Sequence, residues 1–133
     1  MKFYELVEYA EDSGLFVASR SIGRHHGRYL HSKNLILLSP RLTGPQTLSI
    51  LAHELGHWFY GDADPEGIHS PDVEARAWRW GARHLVSSAD YAEAERAVGP
   101  HHGAIARYLG VTRQLVDAWQ PPAVDARMTW RTA

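Results

Sequence analysis

Between Leu51 and Trp58 the chain reads LAHELGHW, and three of these residues have types and spacing suited to metal chemistry. His53 and His57 are four positions apart. On a helix, positions i and i+4 stand one turn apart on one face, so two imidazoles there can reach one ion. Glu54 follows the first histidine and falls beside such an ion rather than on it. A carboxylate in that place can take a proton from an attacking water and hand it to a departing amine. That is why the His-Glu-x-x-His spacing serves zinc-dependent peptide hydrolysis. The pattern is short, and the competing reading is an ordinary amphipathic helix that carries two histidines. Leu55 and Gly56, apolar and small, suit a buried site helix.

A catalytic zinc takes three protein ligands and keeps a fourth position for water. Downstream of His57 the candidates are Asp62, Asp64, Glu66, His69, Asp72 and Glu74. Glu74, Ala77, Trp78, Gly81 and Leu85 share the i, i+3, i+4, i+7, i+11 spacing of a second helix. Glu74 therefore heads an apolar stripe, where an unpartnered charge is costly. A metal ion would be its partner; the alternative is a helix-start carboxylate favoured by the dipole. Small residues at 75, 77, 81 and 82 let the two helices approach closely. His69 is the next candidate ligand. A donor to the developing oxyanion is also needed, and Tyr29, His31, Tyr60 and His69 all remain open for it.

Several elements must position these groups. Phe3, Leu6, Val7 and Ala10 predict a helix over 2–12. Leu15–Ser19, Gly27–His31 and Asn34–Leu38 read as short strands, with Ser-Lys-Asn as the turn between the last two. Thr43-Gly44-Pro45 starts the HELGH helix, which runs to about Tyr60 before Gly61. Leu48, Leu51, Ala52, Leu55 and Phe59 form its apolar stripe, with both histidines on a neighbouring face. The turn-rich Asp62–Asp72 loop leads into a helix beginning near Pro71 or Asp72. Further helices are expected near 89–98, 102–109 and 112–119.

Three short strands need helices on one face to make a core, so the fold class is α+β. The expected architecture is a small antiparallel or mixed sheet packed on the HExxH helix. Its divisions are a core over 1–88, a helical part over 89–120 packed on it, and a tail over 121–133. The tail holds Arg127, Trp130 and Arg131, a candidate hook for substrate or partner.

Ala104–Trp119 has the shape of a helix-turn-helix, with Gly110 at the turn and Thr112 as the next cap. A DNA reader needs a basic exposed face on its second helix. Arg113 and Gln114 are opposed there by Asp117, so a helical cap on the core is the stronger reading, and docking of a protein partner the next. The paired histidines His25-His26 and His101-His102 read as exposed loop residues, because adjacent residues do not converge on one ion.

With 133 residues, 44% of them hydrophobic and 22% charged, the chain fits one globular domain. A net charge of -1 gives no global field toward nucleic acid or membrane. The charge is segregated, however. No acid occurs from Ser19 to Leu51, and no lysine or arginine from Glu54 to Glu74. There is no cysteine, which excludes disulfides and Cys-based zinc sites and is compatible with the cytosol. The stretch MKFYELVEYAED lacks the apolar run of a signal peptide, and LILL is far too short to span a bilayer.

HELGH followed by Glu74-Ala75 resembles the ImmA/IrrE family of bacterial and phage zinc metallopeptidases. GRYLHSKNLILLSPRLTGPQTLSILAHELGH is similar to that family's strand-hairpin-helix lead-in, and EARAWRWGARHLV to its third-ligand helix. The resemblance covers about residues 20–87, with a weaker echo to 120. It implies a minimal zincin-like fold, with His53, His57 and Glu74 as zinc ligands and Glu54 as general base. The step from His57 to Glu74 is compact beside that of some members. It also implies a cytoplasmic endopeptidase in a bacterial cell, cutting a helix-turn-helix repressor of a phage, mobile element or stress response. Extended substrate would then lie against a sheet edge, either Gly27–His31 or Asn34–Leu38. A rival from another class is an antirepressor that binds without cutting, its metal site structural or vestigial.

Overall fold

A computed structural model describes residues 2–121. Tail residues Arg127, Trp130 and Arg131 lie outside them. The elements in chain order are α1 (Phe3–Asp12), β1 (Phe16–Ser19), β2 (Gly27–Leu30), a 3-10 turn (His31–Lys33), β3 (Leu35–Leu38), α2 (Gly44–Tyr60), α3 (Pro71–Leu85), α4 (Ser88–Val98), α5 (His102–Leu109) and α6 (Arg113–Ala118). The class is α+β, and the arrangement of a small mixed sheet on the histidine-bearing helix is zincin-like.

The sheet order is β1-β3-β2. β1 runs parallel to β3, with Phe16 opposite Leu35 and Ser19 opposite Leu38. β2 runs antiparallel to β3, with Gly27 opposite Leu38 and Leu30 opposite Leu35. Asn34 closes the turn between them at φ 48, a left-handed conformation that asparagine tolerates better than most residues. The aliphatic LILL strand takes the centre, with Ile36, Leu37 and Leu38 all buried. Of the two strands considered as a substrate edge, β3 is therefore interior. β2 is an edge, with one side free of strand partners among the described residues.

α2 begins where the sequence signals it. Thr43 Oγ1 accepts from the Gln46 amide at 3.3 Å, and the Gln46 side chain accepts from the Thr43 amide at 2.9 Å. Every residue from Ser49 to His57 is buried, so the middle of α2 is covered on all sides rather than along one stripe. Its apolar side meets the sheet and α1, and α3 covers another face. Phe59, expected on the apolar stripe, is 56% exposed. The core ends one turn earlier, and the Phe59 ring instead lies 5.0 Å from Tyr60 and 5.6 Å from Trp80.

The approach of α2 to α3 depends on missing side chains. A Cβ added at Gly56 would stand 2.5 Å from the carbonyl oxygen of Ala77. One added at Gly81 would stand 3.0 Å from the backbone of Ala52. The obstructing atoms are backbone, so the helices themselves would have to separate. Overpacking costs about 1–3 kcal/mol, and helix propensity returns about 1 kcal/mol at most. Gly56→Ala is therefore expected to lower stability by roughly 2 kcal/mol. Urea unfolding at the parent's midpoint would contradict this packing.

The C-terminal helices close the core. Ile105, Leu115 and Val116 are buried in the same cluster as Leu51 and Leu55. The Thr112 amide donates to Ser49 Oγ at 3.0 Å, which ties the start of α6 to α2. Trp119 Nε1 donates to the Val86 carbonyl, and its ring stacks on Tyr91 at 4.0 Å. The apolar faces of the helix-turn-helix-like pair are thus engaged inside the molecule. No helix among the described residues is long and apolar enough to cross a membrane.

Candidate metal centre

α2 and α3 bring three donors to one point. Ligand atoms of His53, His57 and Glu74 all lie within 4.8 Å of one another. His53 Nε2 is 3.1 Å from Glu74 Oε2, and His57 Nε2 is 2.9 Å from Glu74 Oε1. Glu74 belongs to the first turn of α3, which Ser70 caps by accepting from the Val73 amide at 3.3 Å. Two donors about 2.1 Å from a tetrahedral zinc stand roughly 3.4 Å apart. The observed spacings are close to that, so small side-chain adjustments fit the set around one ion. Two imidazoles and a carboxylate are also a donor set that suits a divalent metal with an open position. Among the described residues no other group of three metal-binding side chains converges.

The opposite nitrogens of the two rings are also engaged. His53 Nδ1 is 3.2 Å from Glu54 Oε2, and His57 Nδ1 is 2.9 Å from Asp62 Oδ2. Each ring is flanked by a second ring. Trp78 stacks on His53 at 4.3 Å, and His69 on His57 at 4.2 Å. Trp78, on the apolar stripe of α3, is buried and backs the His53 ring. Glu74, expected on a buried stripe, keeps 39% of its side chain exposed. It stands at the stripe's head, where α3 reaches the cleft, so it can face both the histidines and solvent.

The electrostatics fit a cation. Burial alone would lower His53, but its contacts with Glu54 and Glu74 outweigh burial and push it up to about 9. His57 is also raised: burial and His53 lower it, and hydrogen bonds to Glu74 and Asp62 prevail. Hydrogen bonds from the two histidines hold Glu74 well below its usual 4.5, against the opposing effect of its burial. In the absence of metal the same carboxylates favour the protonated rings.

The pH dependence follows from those directions. A histidine raised from 6.5 to about 9 contributes stability that is complete below pH 6.5 and lost as pH rises through 9. Glu74, lowered from 4.5, contributes stability that is present above 4.5 and lost in acid. A metal ion needs the deprotonated rings. The melting temperature of the metal-free protein should therefore fall between pH 6.5 and 9, and the gap to the zinc-loaded protein should widen. Thermal melts with zinc and with chelator check this; a gap that stays constant or narrows contradicts it.

The three donors and Glu54 line a cleft of about 320 Å³, together with His25, Gly27 and residues of the 67–69 loop. Gly27 carries no mark in the sequence, yet a side chain there would displace Ile50 where β2 crosses α2. A Cβ at Gly27 would stand 2.5 Å from Ile50 Cγ2 and 3.2 Å from Glu54 Cγ. A glycine in a strand can signal such a close backbone approach. A second groove of about 460 Å³ lies alongside, lined by Leu30, His31 and Lys33. Arg28 lines both, and its Nη2 donates to the Pro65 carbonyl at 2.6 Å.

The other candidates separate by position. Tyr29 and His69 line the cleft. Tyr29 is buried, its hydroxyl 2.8 Å from His31 Nδ1, and burial raises its pKa. His31 lies in the neighbouring groove, and Tyr60 packs under Arg76. Asp62 is a partner of His57 on the side away from Glu74, not a third donor. Asp64 Oδ1 accepts from the Glu66 amide within its own loop. His25 is exposed at the rim of the cleft, and His102 pairs with Asp117 at 2.7 Å.

The chain matches one family model, Peptidase_M78, described as the IrrE N-terminal-like domain, over residues 10–118. No curated protein matches it.

Proposed function

The chain belongs to the Peptidase_M78 (ImmA/IrrE) family, and from that premise we propose that it is a zinc-dependent endopeptidase. Its substrate on this reading is a helix-turn-helix repressor of a phage, mobile element or stress response, cut in the bacterial cytoplasm. The observation that carries the reading is the convergence of His53, His57 and Glu74, with Glu54 beside them in an open cleft.

Zinc bound there would supply Lewis acidity, polarising the scissile carbonyl and acidifying a water. His53 and His57 present Nε2 and Glu74 a carboxylate oxygen to hold it. Glu54 accepts the proton of the attacking water and delivers it to the departing amine nitrogen. The free edge of β2 offers main-chain groups to an extended peptide, which would cross the cleft mouth at Gly27. Of the four residues considered for the oxyanion, Tyr29 and His69 line the cleft, which supports either of them as the donor on this reading.

The test is incubation of the zinc-loaded protein with candidate repressors and mass spectrometry of the products. Fragments that disappear with chelator, or when Glu54 is replaced by Gln, support the enzyme. Repressor release without fragments, unaffected by that replacement, favours the antirepressor reading.

A further inference from the structure

Asp62 sits on the far side of His57, and α3 holds it there. Asp62 Oδ2 is 2.9 Å from His57 Nδ1, while Asp62 Oδ1 accepts from Arg76 Nη2 at 2.7 Å. The Asp62 side chain is 7% exposed and that of His57 is 1% exposed. The Arg76 guanidinium lies over the Tyr60 ring, its Cζ 4.1 Å from the centroid. Tyr60, Arg76, Asp62 and His57 thus form one line from the end of α2, through the loop, to the metal-facing ring.

We propose that Asp62, held by Arg76, is a positioning residue that fixes the His57 tautomer and aims its Nε2 at the metal point. The inference rests on the zinc reading of the site.

A neutral imidazole carries one donor and one acceptor, and a carboxylate only accepts. In the neutral ring the nitrogen facing Asp62 must therefore carry the proton, which leaves the Nε2 lone pair free for the ion. The carboxylate can be buried because Arg76 supplies the counter-charge. Among the described residues Arg76 Nε has no hydrogen-bond partner, so the guanidinium's bond to Asp62 is made through Nη2. Arg76 and Glu74 are two residues apart on α3. The helix that supplies the third donor to His57 Nε2 thereby also secures His57 Nδ1. A shift of α3 would disturb both.

The experiment combines chelator-competition titration of zinc with nitrogen NMR of the His57 ring. Asp62→Ala should weaken zinc binding by about 10–100-fold, the usual effect of losing such a partner. Asp62→Asn, which keeps an acceptor for Nδ1–H, should recover most of that loss at a metal-free melting temperature like that of the alanine variant. A merely structural role would make affinity follow melting temperature instead, and parent-like affinity in Asp62→Ala would overturn the proposal. The NMR arm uses the unaltered, zinc-loaded protein and can overturn the proposal even if the variants do not fold. It should find Nδ1 protonated and Nε2 on the metal; the reverse overturns the proposal. If the unaltered protein takes up no zinc, the metal reading falls and this inference with it. If it takes up zinc and only the Asp62 results fail, the inference alone is wrong.

Discussion

Glu54→Gln is expected to keep the metal and lose the reaction. The substitution preserves length and shape in a position that is 6% exposed and packed under Gly27. It replaces a carboxylate, which can hold a proton, with an amide, which cannot. None of the three converging donors is replaced, and the glutamine keeps an acceptor oxygen for His53 Nδ1. Zinc stoichiometry should stay at the parent value while cleavage falls on the order of 10³-fold, within the range for a positioned proton-transfer group. Native mass spectrometry reads the first quantity and the rate of fragment formation the second. If cleavage continues at the parent rate, Glu54 is not the base. If repressor function is relieved equally by parent and variant, binding suffices and the antirepressor reading prevails.

Glu74→Ala is expected to lose the metal itself. Glu74 contacts both Nε2 atoms, and no other carboxylate in the converging group can replace it. Asp62 faces the opposite nitrogen of His57, and the described contacts of Asp64 lie in its own loop. Removing a direct ligand should weaken zinc more than the roughly 10–100-fold typical of an outer partner. The metal-free variant should also lose Glu74's share of the stability that the protonated histidines gain from their carboxylates, in the window between about pH 4.5 and 6.5. Chelator competition and a pH series of thermal melts measure the two effects. Zinc retained at parent affinity would transfer the third ligand to His69, whose ring already stacks on His57.

Much of this arrangement was legible because it follows from periodicity. The capping residues at Thr43 and the Pro45 start fix where α2 begins, and the i, i+4 spacing then places both histidines on one face. A second periodicity, Ala77-Trp78-Gly81-Leu85, sets Glu74 at the head of α3. Small residues at 77 and 81 allow the two helices to meet at backbone contact, which brings the two faces together. The LILL strand was identifiable by composition, and its central place in the sheet agrees with its burial.

What was not legible depends on tertiary partners. Periodicity placed Phe59 on the apolar stripe, but it could not say that the core ends one turn earlier. Asp62 had the right chemistry for a ligand, yet the turn after Gly61 delivers it to Nδ1, a distinction of a few ångströms that spacing does not encode. Arg76 falls off the apolar stripe of α3, and periodicity names no partner for it; its contact with Asp62 spans fourteen positions across a loop. Strand order decides which strand is the edge, and neither β2 nor β3 carries that information in its own residues. The glycine over Glu54 was visible as a letter only; its meaning needed the crossing of β2 over α2.

The measurement that tests the central claim most directly is the metal content of the purified protein after reconstitution with zinc and removal of the excess. Three donors converging beside Glu54 predict close to one zinc per chain, held against a mild chelator. A protein that emerges folded and free of zinc would contradict the account, leaving LAHELGHW as a core helix whose histidines serve packing alone.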